Sequence, residues 1–109
     1  EELNRLIPES EPFEAATLIV AAHRESIAFR RSLRTLTYTE PAVAGARAEA
    51  RLAQMNRLAE RSPNRHPCVL AAKILTLERL ADAIVEGEFV ALGLNEQAAI
   101  DELARHIAT

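Results

Sequence analysis

Tryptophan is absent from this chain of 109 residues, and three phenylalanines and one tyrosine are its only aromatics. A chain so poor in rings has few stacking platforms for single-stranded nucleic acid. The one cysteine, Cys68, excludes an intramolecular disulfide and a cysteine-based zinc cluster. Three glycines, Gly45, Gly87 and Gly93, are too few for the many turns of a sandwich or barrel. The most apolar stretch, residues 15–22, is far too short to cross a bilayer, so no membrane partner is expected. No signal sequence is visible, and a cytoplasmic location is expected.

What the chain has in abundance is alanine, leucine, arginine and glutamate, all good helix formers. It also has an uneven distribution of charge. Residues 24–65 hold nine arginines and four glutamates, a balance of +5, while the flanking segments 1–23 and 66–109 each carry −4. The formal net charge of −3 hides a basic middle between acidic ends, a pattern that asks for an anionic partner outside the molecule or within it. Twelve arginines stand against a single lysine, a ratio that codon usage explains as readily as chemistry does.

Breakers at 37–41 and 62–67, with Gly87 and Gly93, divide the chain into helices expected at about 10–36, 41–61, 67–86 and 96–108. An N-terminal turn carrying Leu3, Leu6 and Ile7 precedes them over 1–9. On the first helix Ala15, Leu18, Ala22, Phe29, Leu33 and Leu36 share one stripe. Phe13, Ala16, Val20 and Ile27 form a second stripe roughly opposite, continued by Arg24, Arg31 and Arg34. The second helix, with Thr39 as expected N-cap, has Ala44, Ala48, Leu52, Met55 and Ala59 inward and Arg47, Arg51, Arg57 and Arg61 outward. The third has the widest apolar face, through Leu70, Ile74, Leu77, Ala81 and Ile84, and is placed most centrally; Glu78, Asp82 and Glu86 form its outer row. Gly87 is its expected C′ residue. Asn95 caps the last helix, whose inner stripe is Ile100, Leu103, Ala104 and Ile107. The fold class that follows is all-α: one domain over 1–109, an up-down-up, four-helix-bundle-like stack of three long helices closed by a short C-terminal one.

No constellation of catalytic groups assembles by spacing, so no enzyme, cofactor or metal is expected. His66 and Cys68 flank Pro67 but make an incomplete zinc site. Glu102 and His106 share a face without the second pair that a carboxylate-bridged metal bundle requires. Leu92-Gly93-Leu94-Asn95 has the outline of a helix-turn-helix turn, yet the helix after it presents Glu96, Asp101 and Glu102, which phosphate repels.

Two surfaces remain. A helix apolar on both sides needs two partners, so Phe13, Ala16, Val20 and Ile27, rimmed by Arg24, Arg31 and Arg34, are expected to form an interface with a second copy or a partner helix. The function expected is accordingly a non-enzymatic interaction or regulatory module acting as a homodimer or with a protein partner. The alternative is nucleic-acid binding through Arg47, Arg51, Arg57 and Arg61, whose like charges at i,i+4 an anion would relieve. A small metal or acid–base enzyme around His23, His66 and His106 is the third reading.

Overall fold

The computed structural model describes residues 11–109. The N-terminal turn expected over 1–9, with Leu3, Leu6 and Ile7, lies outside the described residues. Among the described residues all regular structure is helical, in agreement with an all-α composition. The helices are α1 (Glu11–Glu25), α2 (Ile27–Thr39), α3 (Pro41–Arg61), α4 (Pro67–Val85), α5 (Glu88–Ala91) and α6 (Glu96–Ala108). None of them is long and apolar enough to cross a membrane. Within the expected single domain two compact units are found, Glu1–Ile27 with Leu77–Thr109, and Ala28–Thr76.

The helix expected over 10–36 is two helices, interrupted at Ser26. The Ser26 hydroxyl donates to the carbonyl of Ala22 at 2.9 Å, and the Ser26 N–H reaches the same oxygen at 3.3 Å. A serine bonding back onto the preceding turn competes for the ladder carbonyl and bends the helix there. Thr39, expected as the N-cap of the next helix, is instead the last residue of α2. Pro41 opens α3, and proline drives the residue before it out of the helical region, so Glu40 takes the extended conformation (φ −124°, ψ 104°) and the capping place.

The first unit contains the clearest core. Ala16 and Val20 of α1, Ala81, Ile84 and Val85 of α4, and Ala99, Ile100, Leu103 and Ala104 of α6 are buried together. Ile19, Ile27, Leu77, Leu80, Phe89 and Ile107 pack around them. Alanines on both α1 and α6 let those two helices approach closely and pack along one another. The last turns of α4 are covered on every side, because all five residues from Ala81 to Val85 are buried. The central position expected for this helix holds at that end. Gly87 follows with φ 79°, a conformation that costs a residue without a Cβ little, and so turns the chain into α5.

Helix α6 begins as expected. Asn95 Oδ1 accepts the N–H of Ala98 at 3.0 Å, satisfying one of the orphan donors of the first turn. Gly93, also at φ 79°, delivers the chain to that cap.

The second unit is thinly packed. Its fully buried residues are Leu70 and Ile74 of α4; neither α2 nor α3 buries a residue completely. The inner stripe expected on α3 is displaced, with Ala48 and Leu52 exposed and the half-buried positions Val43, Ala44, Arg47, Arg51, Met55, Leu58 and Ala59. Arg47 donates to the Thr37 hydroxyl at 2.9 Å, and that hydroxyl donates in turn to the carbonyl of Leu33 at 2.7 Å, which ties α3 to α2. A polar bond therefore occupies part of the seam that an alanine stripe was expected to fill.

Candidate functional site

Helix α2 is amphipathic and buries no residue completely. At 100° per residue Phe29, Leu33 and Leu36 fall within about 60° of arc. Phe29 is nevertheless 66% exposed and Leu36 42% exposed, with Leu33 half-buried between them. The covered side of α2 is centred elsewhere, on Arg30, Leu33, Arg34 and Thr37. Arg30 and Arg34 are engaged with other groups rather than idle. The helix thus turns its arginines partly inward and its phenylalanine to water. An isolated exposed leucine is ordinary, but an i,i+7 pair of large apolar groups on one side of a helix is a ready contact surface.

The interface expected from the sequence is dispersed. Ala16 and Val20 are core residues of the first unit, and Ile27 packs against that core. Residues Ala15, Ala16, Ile19, Val20 and His23 all lie within about 140° of arc, so α1 has one buried side, not two opposite ones. Of the expected contact set, Phe13 is exposed, Arg31 is exposed and Arg34 half-buried. Arg24 forms an ion pair with Glu96 at 3.0 Å. Its place in a contact rim is therefore held in competition with α6.

Nor do the four arginines assigned to an anion share one environment. Arg47 and Arg51 are half-buried, while Arg57 and Arg61 are exposed, and each of the four is engaged with another group. The carboxylate row of α4 is likewise not an outer row: Asp82 is buried, and Glu78 and Glu86 are half-buried.

Asp82 has a partner that sequence spacing does not reveal. Its Oδ1 lies 2.8 Å from His23 Nδ1, and the two side chains are 5% and 14% exposed. The acceptor carboxylate favours a proton on Nδ1, so that the imidazole donates to it. Burial of a carboxylate is tolerable only with such a partner.

The remaining titratable groups stay apart. His66 Nδ1 accepts the N–H of Cys68 at 3.0 Å and so serves the start of α4, and Cys68 is an exposed free thiol. His106 Nε2 lies 3.7 Å from Glu102, whose other oxygen takes Arg105 at 2.6 Å. Among the described residues no group of three His, Cys, Asp or Glu side chains is placed to hold a metal ion. The turn through Leu92, Gly93, Leu94 and Asn95 leads into a helix carrying Glu96, Asp101 and Glu102, so its anionic character stands.

Lys73, absent from both expected surfaces, is the single lysine of the chain. Half-buried on α4, it binds its proton less tightly than usual, through desolvation first and then the charges of Arg65 and Arg61. Its interruption of the apolar face of α4 was the signal available in the sequence.

No protein-family model, no curated protein and no solved structure matches this chain.

Proposed function

We propose that the chain is a non-enzymatic helical interaction module, regulatory in kind, that acts as a homodimer through the exposed apolar side of α2. The observation that carries this reading is Phe29, largely exposed and in line with Leu36 on an amphipathic helix that buries no residue completely.

Charge favours a second copy as the occupant. The described residues of the first unit carry ten carboxylates and three arginines, −7; the second unit carries nine cations and three carboxylates, +6. In a two-fold dimer, the basic unit of each copy meets the acidic unit of the other, twice, and the contact closes on itself. Apolar area then supplies affinity, and opposite charge supplies orientation and encounter rate. A stable interface buries on the order of 800 Å² per partner, and a phenylalanine contributes about 150–250 Å². Phe29 and Leu36 of each copy therefore form the apolar middle of one of the two equivalent contacts, against the acidic unit of the other copy, with polar groups such as Arg31 at the rim.

Light scattering across a range of protein and salt concentrations tests the reading. A dimer that dissociates on dilution, more readily at high salt, and that Phe29→Glu converts to a folded monomer is the expected result. A chain monomeric at every concentration overturns it.

Nucleic-acid binding is the second reading, favoured by the +6 of the basic unit. It requires duplex binding at low salt that weakens steeply as salt rises.

A further inference from the structure

The turn from α5 into α6 holds apolar side chains in water. Val90, Ala91, Leu92, Gly93 and Leu94 follow one another, and all five are exposed. Leu92 is 75% exposed, and Val90 and Leu94 are more than half exposed. The backbone of the turn is held by hydrogen bonds. Leu94 N–H donates to the Phe89 carbonyl at 3.0 Å and Gly93 N–H to the Val90 carbonyl at 2.9 Å, the paired bonds of a glycine helix stop. Phe89 packs against the core of the first unit and anchors the turn to it. A Cβ at Gly93 would meet nothing within 4 Å, so the turn is open to water there.

Single exposed leucines are ordinary. An exposed run of about three or more consecutive apolar residues is different, because it invites association unless a partner covers it. The turn belongs to the unit whose described residues sum to −7, and the exposed side of α2 belongs to the unit that sums to +6. Glu88 and Glu96 stand at either end of the run, each in an ion pair within the first unit, with Arg79 at 3.1 Å and Arg24 at 3.0 Å. Both pairs remain partly in water and supply a polar edge. Turn against α2 therefore joins opposite net charges, whereas turn against turn, or α2 against α2, joins like ones. Neither surface suffices alone, since a stable interface needs on the order of 800 Å² from each partner. In a two-fold pair each copy gives both, so Phe29, Leu36, Val90, Leu92 and Leu94 are all used twice.

We propose that residues 90–94 are the docking site for the exposed side of α2 of a second copy. Leu92, the most exposed of the run, lies at the centre of the contact, and the same contact is made in reverse by the other half of the pair. This docking rests on the self-association proposed for α2, to which it adds the receiving surface. Self-association of α2 against α2 would instead leave residues 90–94 in water.

Leu92→Glu removes apolar area from the turn and adds a negative charge, which leaves the attraction to the basic unit in place. By light scattering its apparent dissociation constant should rise about tenfold or more over the parent's, with circular dichroism unchanged. Mixing two variants tests the pairing of surfaces directly. Phe29→Glu keeps the parent's turn, and Leu92→Glu keeps the parent's α2. Adding unlabelled Leu92→Glu to isotope-labelled Phe29→Glu should shift the amide resonances of residues 90–94, whereas adding unlabelled Phe29→Glu should not. Absence of shifts there at millimolar protein, or equal shifts in both titrations, overturns the proposal. So does a Leu92→Glu protein that dimerises like the parent while Phe29→Glu does not, which would leave the self-association of α2 intact and its docking site elsewhere. A parent that is monomeric at every concentration overturns both.

Discussion

His23 and Asp82 stand 59 residues apart in the chain and 2.8 Å apart in the fold, joined Nδ1 to Oδ1 between α1 and α4. Both side chains are largely withdrawn from water beside the alanine-rich core of the first unit. A buried carboxylate needs hydrogen-bond donors, and the imidazole is one of them, so this polar bond helps to fix the rotation of α1 against α4. Sliding either helix by one residue would carry one partner away from the other.

Coupling between these two residues is the first prediction. His23→Ala should lower the unfolding free energy by about 1–3 kcal/mol, the cost of leaving a buried acceptor short of its donor. In a double-mutant cycle with Asp82→Ala the interaction energy should reach about 0.5–3 kcal/mol. Urea denaturation of the four proteins measures it, and simple additivity would show that the bond contributes nothing.

Leucines at helical positions should differ sharply in what they contribute. Leu103 is fully buried in the α6 side of the core, whereas Leu52 is exposed on α3. Leu103→Ala should cost about 2–5 kcal/mol, and Leu52→Ala should stay within about 0.5 kcal/mol of the parent. Thermal or chemical unfolding of the two variants side by side decides the point; equal losses would contradict the placement of α3.

Alkaline pH should stabilise the protein through Lys73. Burial, then the charges of Arg65 and Arg61, lower its proton affinity below the ordinary value of 10.5. The unfolded chain therefore holds this proton more tightly than the folded one. The penalty is complete below the lowered folded value and disappears as pH rises towards 10.5. Lys73→Met should raise the urea midpoint at neutral pH and remove that part of the alkaline gain. Parallel pH profiles for parent and variant would show that Lys73 titrates alike in both states.

Removal of the α6 cap offers a local test. Asn95→Ala deletes the bond from Ala98 N–H to Oδ1 and should cost about 1 kcal/mol. Faster amide exchange should be confined to the first turn of α6, around Ala98. Unchanged exchange there would mean that solvent serves that N–H equally well.

Much of the secondary structure was legible because its signals are local. Pro41 and Pro67 open helices where the chain predicts, Gly87 and Gly93 turn it, and Asn95 caps it. The inner stripe of α6 is also legible, since Ile100, Leu103 and Ala104 repeat at helical spacing and are buried. Ser26 was harder, because a serine within a periodic segment gives no sign of whether its hydroxyl faces water or bonds back to Ala22.

The covered side of α2 departs from its apolar stripe for a definite reason. Phe29 and Leu36 join Ala15, Leu18 and Ala22 on one stripe only if the helix runs straight past Ser26. Periodicity ranks sides of a helix by apolar content, and it has no term for a polar bond between neighbours. The bond from Arg47 to Thr37 lies on the covered side of α2, next to Arg30 and Arg34. Apolar groups then remain outside although their pattern reads as core.

From the order of its residues alone this chain is committed to helices, to their approximate ends, and to an acidic, basic, acidic succession of charge. Those properties depend on neighbours a few positions apart, where backbone propensity and capping act. Which side of each helix faces inward, that His23 meets Asp82, and that Lys73 shares its surroundings with two arginines were decided only by tertiary structure. Such outcomes depend on burial and on Coulomb forces between groups distant in sequence, which no local pattern encodes.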